Sequence, residues 1–251
     1  YRVREVSQLK ERTQQDYHKH LKMLELVFGH MELQNIRPTD VHHYIQQRGV
    51  NSKVQANREK AVLSAMFNFA RRLGLVDCPN PCAGIRGHTE RARTRYVTDA
   101  EFQAVYDVSD WWIQDTLDLA LLTGQRPADV LKMDLADLDE ESVHVKQNKT
   151  GALLRVARVG ELGPVLDRII GRVHLGSSLL VNRNGGQLTF PQFRFGFDAA
   201  REKVGADWQL RDLRAKAATD LQNLAQAQKL LGHRSRNTTE IYTRDRKGEL
   251  V

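Results

Sequence analysis

Apolar positions along this chain recur at helical spacing in two blocks, separated by a short stretch where the pattern fails. In the first block, residues 7–28 carry an amphipathic helix pattern. Thr39 and Asp40 look like the start of a short helix running through Gln47, and residues 52–73 form a long helical pattern closed by Gly74. The long helix is predicted to gather Val54, Ala61, Val62, Ala65, Met66, Phe69 and Leu73 on one broad face. Lys53, Arg58, Lys60, Arg71 and Arg72 would lie opposite. Pro79, Pro81, Gly84 and Gly87 then interrupt the periodicity, and residues 88–95 are polar with Arg91, Arg93 and Arg95 at every second position, the pattern of a linker.

The second block opens on Thr98-Asp-Ala-Glu101, a capping box that starts a helix near Asp99. Residues 111–123 are an apolar helix ended by Gly124, and residues 127–133 a short helix with proline at its first turn. Residues 142–146 and 153–156 have strand character around Asn148-Lys-Thr-Gly151, which predicts a hairpin, and residues 179–181 are a candidate further strand. Helices are expected again at 163–172, 190–204, 211–223, 225–231 and 237–243. The fold class is therefore mainly α with a small antiparallel β-sheet.

With 251 residues, 41% of them hydrophobic, the chain is long enough for at least one core, and two are expected, one per block. Its apolar runs are too short to cross a membrane, and its first residues do not resemble a signal peptide. A soluble cytoplasmic protein is expected. The only cysteines, Cys78 and Cys82, lack a second ligand pair, which argues against a disulfide scaffold or a zinc finger, and no metal is expected. Charge is uneven: residues 1–95 hold seventeen Lys and Arg against nine Asp and Glu, whereas residues 96–251 hold twenty-one against twenty-two. A basic block joined to a neutral one suits a module that follows a polyanion, although a solvated basic surface has the same composition.

Four short stretches of the second block carry the chemistry. Arg126, in Thr123-Gly-Gln-Arg126 with Asp129 three residues on, sits between a helix end and a helix start, where a guanidinium can project at an anion. Lys149 lies on the hairpin turn. Arg211 and Arg214, in Arg211-Asp-Leu-Arg214, share one helix face. His233 follows Leu231-Gly232, and Tyr242 stands nine residues beyond it. Singly, each has an ordinary explanation as a cap, a solvated turn lysine, a salt-bridged helix or a core tyrosine.

Taken in order, TGxRxxD, a hairpin lysine, RDLR and LGHxSxxTTxxY closely resemble the tyrosine recombinases, the phage integrase family, over nearly the whole chain. Val145-Lys-Gln-Asn-Lys-Thr-Gly151 is similar to temperate-phage integrases of the lambda type. The resemblance implies a helical core-binding DNA domain at 1–84, a linker at 85–96 and a catalytic domain at 97–251. It implies site-specific recombination without a cofactor: Tyr242 attacks the scissile phosphate to give a 3′-phosphotyrosyl bond and a free 5′-hydroxyl. Arg126 and Arg214 would clamp the phosphate, Lys149 would protonate the leaving oxygen, His233 would hydrogen-bond the phosphate, and Asp129 would support the site from behind. Arg211 departs from the pattern, since its position usually holds histidine. Arginine can donate to phosphate but is a poor base.

The resemblance further implies double-stranded DNA as partner, a homotetramer assembled on it through a four-way junction, and DNA contacts from Arg58, Lys60, Arg71, Arg72, Arg91, Arg93 and Arg95. A DNA-bending helper or a directionality factor would be further partners. Many integrases carry another N-terminal, arm-binding domain, so truncation ahead of Tyr1 is expected. The short tail from Thr243 to Val251 is expected to pack in a neighbouring protomer. A non-catalytic DNA-binding relative and a type IB-like topoisomerase are the alternatives that share these features.

Overall fold

The computed structural model describes residues 1–243 and divides the chain into two compact units, Tyr1–Arg93 and Thr94–Val251. The tail from residue 244 onward, with the packing expected of it, lies outside the described residues. No helix among them is long and apolar enough to cross a membrane.

The first unit is built on two helices, α1 (Glu11–Phe28) and α2 (Pro38–Arg72). Helix α2 is broken at Ser52, whose backbone is extended (φ −160°, ψ 100°), close to the expected boundary between two helices. The break is forced by a buried charge. Glu59 is 1% exposed, and its carboxylate accepts from Tyr44 Oη at 2.7 Å and from Arg48 Nε and Nη2 at 2.9 and 3.0 Å. In a straight helix, residues 48 and 59 would be roughly 16 Å apart along the axis, so the two arms must fold back for this bidentate pair to close. The predicted face is only partly correct. Val62, Leu63, Phe67 and Ala70 are buried with Leu21, Leu24, Tyr44 and Ile45, while Val54, Ala61 and Leu73 are exposed. Leu63, Phe67 and Ala70, at i, i+4 and i+7, centre the stripe one position away from the expected residues.

The stretch expected to be a linker is anchored at both ends. His88 belongs to the first unit: its ring contacts the Ile45 carbonyl at 2.9 Å, and Asn57 binds its backbone in both directions. Arg95 and Tyr96 belong to the second. The division therefore falls between Arg93 and Thr94, within the predicted segment.

In the second unit, α3 (Asp99–Asp107), α4 (Trp111–Thr123), α5 (Pro127–Val130), α6 (Leu162–Ile170), α7 (Phe190–Lys203), α8 (Leu210–Asp220), α9 (Leu224–Leu231) and α10 (Arg236–Glu240) accompany one hairpin. Its strands, β1 (Ser142–Lys146) and β2 (Leu153–Ala157), pair antiparallel with Val143 opposite Val156 and Val145 opposite Leu154. That register turns Val143, Val145, Leu154 and Val156 inward and leaves His144, Leu153 and Arg155 facing out. Residues 179–181 add no third strand; Val181 makes one isolated bridge, to Gln187, and the preceding Ser178 another, to Asp134. The core centres on Leu117, Leu119, Leu166, Leu213 and Trp208, all inaccessible to solvent, with Trp208 stacked on Phe102 and tilted against Phe197. Capping boxes at Thr98 with Glu101 and at Thr189 with Gln192 fix the starts of α3 and α7. Lys216, on α8, is buried and pairs with Asp99 and, at 2.9 Å, Asp220. It locks α8 to the start of α3.

Candidate active site

Two helix ends and one hairpin bring the predicted residues together. Helix α4 stops because Gly124 adopts the left-handed conformation (φ +61°), and α5 starts because Pro127 occupies its first turn. Arg126 is the residue between, with extended backbone at the α5 N-cap. Helix α9 ends the same way at Gly232 (φ +64°), where His233 N–H bonds the Gln228 carbonyl at 3.1 Å, so the backbone carrying His233 is fixed by a Schellman-type cap.

Arg214 lies at the centre. It is 2% exposed, donating from Nη1 to the Gly124 carbonyl at 2.6 Å and from Nη2 to the Leu231 carbonyl at 2.7 Å and His233 Nε2 at 3.1 Å. Its Cζ is 5.4 Å from the Tyr242 ring centroid, and the Tyr242 and His233 rings are 5.1 Å apart. Burial, followed by the charge of Arg126, lowers the Arg214 pKa to about 10, which leaves it charged at neutral pH. The same burial, with Arg214 and Arg126, lowers the His233 pKa to about 4. A buried guanidinium whose charge is disfavoured by a second guanidinium nearby, with a half-buried imidazole and a phenol beside it, forms a site that is stabilised when an anion enters.

Arg126 donates from Nη1 to Gln147 Oε1 at 3.0 Å and lies 3.8 Å from Asp129 Oδ2. Asp129 is buried and accepts the Asn148 backbone N–H at 2.9 Å, so it ties the arginine loop to the hairpin turn. Lys149 is exposed on that turn. Arg211, one helical turn before Arg214, is also exposed and lines a hollow of about 230 Å³ with Pro127, Arg194, Phe197 and Gln209. The structure thus groups Arg126, Arg214, His233 and Tyr242, with Asp129 behind Arg126, and leaves Lys149 and Arg211 at exposed positions.

Sequence reasoning missed three side chains that hold this arrangement. Gln147 and Gln125 join their amides at 2.8 Å beneath Arg126, and Thr239, fully buried, meets His233 Nδ1 at 3.2 Å. The signal at Gln147 was a polar residue on the inward phase of β1, continuing Val143 and Val145.

The predicted DNA-contacting cations are not equivalent. Arg71 and Arg91 are exposed. Arg58 pairs with Glu90 at 3.4 Å and Arg72 with Glu5 at 3.2 Å, both at the surface. Lys60 is turned inward onto the Ile85 carbonyl, and Arg93 has a partner within the chain. Arg95 is committed to Glu101 and to Asp207, the latter at 3.0 Å, and it drives the Glu101 pKa down to about 2. Lys60 and Arg95 therefore act within their own units, because acceptors lie within reach of their charged ends.

The model of the phage integrase family matches residues 95–249. The integrase of Enterobacteria phage P21 is 26% identical over 247 residues, covering 87% of this chain, and this chain spans only 64% of that protein's length. Among solved structures, a lambda integrase dimer bound to a COC′ core site matches with a TM-score of 0.87 at 22% identity, over 97% of this chain and 74% of the other. A lambda integrase tetramer bound to a Holliday junction matches at 0.84 and 21% identity, over 91% of this chain and 73% of the other. These likenesses show a shared fold.

Proposed function

The chain belongs to the phage integrase family, and on that premise we propose that it is a site-specific DNA recombinase acting through a 3′-phosphotyrosyl intermediate, in the integration or excision of a prophage or mobile element. The observation that supports this reading best is the position of Tyr242, 5.4 Å from the buried guanidinium of Arg214 and 5.1 Å, ring to ring, from His233.

In the proposed reaction the Tyr242 oxygen forms a bond to the scissile phosphorus while the bond from phosphorus to the 5′-oxygen breaks. Lys149 delivers a proton to that oxygen, and the tyrosine proton leaves to solvent. The liberated 5′-hydroxyl of a partner strand then attacks the phosphotyrosine, so the energy of the phosphodiester is retained. Negative charge grows on the nonbridging oxygens in the transition state. Arg126 and Arg214 are pre-organised there by Gln147, Gly124 and Leu231, so the clamp stabilises that charge without reorganising. Arg211, exposed beside the site, adds a further donor.

The substrate in this reading is double-stranded DNA, followed by the basic first unit, with four protomers assembling on two sites as the lambda protein does on its junction. Bending and directionality factors would act on that assembly, and the protein would be soluble, cytoplasmic and DNA-associated.

The test is a nicked suicide duplex carrying the element-junction sequence, incubated in chelator and resolved on a denaturing gel. Wild type is expected to give a covalent adduct, and Tyr242→Phe to bind the duplex without one. A clear binding shift with no adduct from wild type would overturn the catalytic reading in favour of a DNA-binding relative.

A further inference from the structure

Gln147 follows directly on β1 and is 1% exposed, yet its side chain is a polar amide. A buried amide is tolerated when its hydrogen-bonding capacity is met, and here every valence is used. Oε1 accepts from Arg126 Nη1 at 3.0 Å and from Thr150 Oγ1 at 2.8 Å. Nε2 donates to Gln125 Oε1 at 2.8 Å and to the Leu231 carbonyl at 2.9 Å. Its backbone closes the turn, with Gln147 N–H on the Ala152 carbonyl at 2.9 Å and Gly151 N–H on the Gln147 carbonyl at 2.8 Å.

These partners are not scattered. Arg126 is one arm of the clamp, and Thr150 is the neighbour of Lys149. The Leu231 carbonyl is the same atom that receives Arg214 Nη2 at 2.7 Å. A Cβ at Gly232 would come within 3.2 Å of Gln147 Nε2, so the amide also presses against the segment that presents His233. One side chain therefore touches, or shares an anchor with, every strand of chain that brings a group to the site except α10. Rotating the amide by 180° would set its NH₂ against the Arg126 donor and its oxygen against the Leu231 carbonyl, so only one orientation satisfies the network. A core that needed only volume here would be served by leucine or methionine.

We propose that Gln147 is a positioning residue for phosphoryl transfer: it holds the hairpin turn bearing Lys149 in register with the Arg126 and Arg214 clamp. The proposal rests on the recombinase reading above and adds to it a residue that touches neither substrate nor nucleophile. Displacing a catalytic group by about 1 Å costs on the order of 100-fold in rate, and the group displaced here is the one that protonates the leaving oxygen.

The experiment measures single-turnover cleavage at saturating enzyme on two suicide duplexes, one with the natural 5′-oxygen and one with sulfur in its place, which leaves without a proton. Gln147→Met also frees Arg126 Nη1, so it is expected to bind DNA, to lose on the order of 100-fold on the oxygen substrate, and to recover the Lys149-dependent part of that loss on the sulfur substrate. In the Lys149→Ala background, Gln147→Met should add on oxygen only the loss that it also shows on sulfur. Thr150→Val, on the exposed turn, leaves Arg126 bound to the amide and removes the link from the amide to the turn, together with a long contact from Ala152 N–H at 3.4 Å. It should give a smaller loss with the same oxygen-over-sulfur signature, which tests the idea even if Gln147→Met folds poorly. Equal losses on both substrates, or wild-type rates from both variants, would overturn the positioning role. An adduct from wild type with either of those results leaves the recombinase reading standing; no wild-type adduct removes both.

Discussion

Arg214 Nη2 donates to His233 Nε2 across 3.1 Å. A guanidinium can only donate, so Nε2 is the unprotonated nitrogen of that ring. The proton sits on Nδ1 and is directed at Thr239 Oγ1, 3.2 Å away. The imidazole is thus neutral, in agreement with a pKa lowered to about 4 by burial and then by the two arginines.

A pH dependence of stability follows. The folded state resists protonating His233 while the unfolded chain takes up a proton near pH 6.5, so the unfolded state binds more protons between those values. Stability from this residue is complete above about pH 6.5 and falls as the pH drops towards 4. Urea unfolding of wild type and His233→Asn across pH 4 to 8 should show the variant losing less stability over that window. Parallel profiles would mean that His233 titrates normally.

Gly124 is predicted to be intolerant of substitution. Its φ of +61° disfavours a side chain by about 1–2 kcal/mol, and a Cβ would meet Leu230 Cδ2 at 3.1 Å and Leu231 Cδ2 at 3.2 Å. Its carbonyl also anchors Arg214. Gly124→Ala should therefore lower unfolding free energy by about that amount and slow adduct formation at temperatures where the variant is still folded. A stability loss with unchanged cleavage would separate the backbone strain from the clamp.

Arg211 gives the opposite combination. It is exposed and makes no contribution to the core, so Arg211→Ala should shift stability by no more than about 0.5 kcal/mol. If its guanidinium stabilises the phosphate, cleavage should fall by roughly 10- to 100-fold in the alanine variant, and Arg211→His should stay nearer to wild type, since imidazolium also donates. Single-turnover rates with DNA-binding controls decide this; identical rates for all three would remove Arg211 from the site.

Much of this was readable from local pattern. Helix α4 and strand β1 have their predicted ends because an apolar run stopped by glycine, and a period of two, are local signals. Arg126, Arg214, His233 and Tyr242 were found through their motifs, and their convergence in space could not have been read from spacing. What escaped was non-local. The Arg95 to Asp207 and Gln147 to Leu231 contacts join residues 112 and 84 positions apart, so no window of sequence contains both partners. The phase of the second arm of α2 was misjudged because Glu59, which reads as an ordinary charged residue in the sequence, is buried there with its carboxylate paired to Arg48. Lys60 and Arg95 were expected at the surface for the same reason: composition counts charges without showing which are already neutralised by a neighbour.

Two of the bonds that seat Arg214 end on main-chain carbonyls, at Gly124 and Leu231. Every amino acid carries that acceptor, so the seat depends on the path of the backbone and not on the side chains that line it. A lineage can exchange residues such as Leu231 for others of similar size while the guanidinium stays in place. The fold can thus diverge widely in sequence around a stationary charge, with the glycines that bend the backbone there being the positions least free to drift.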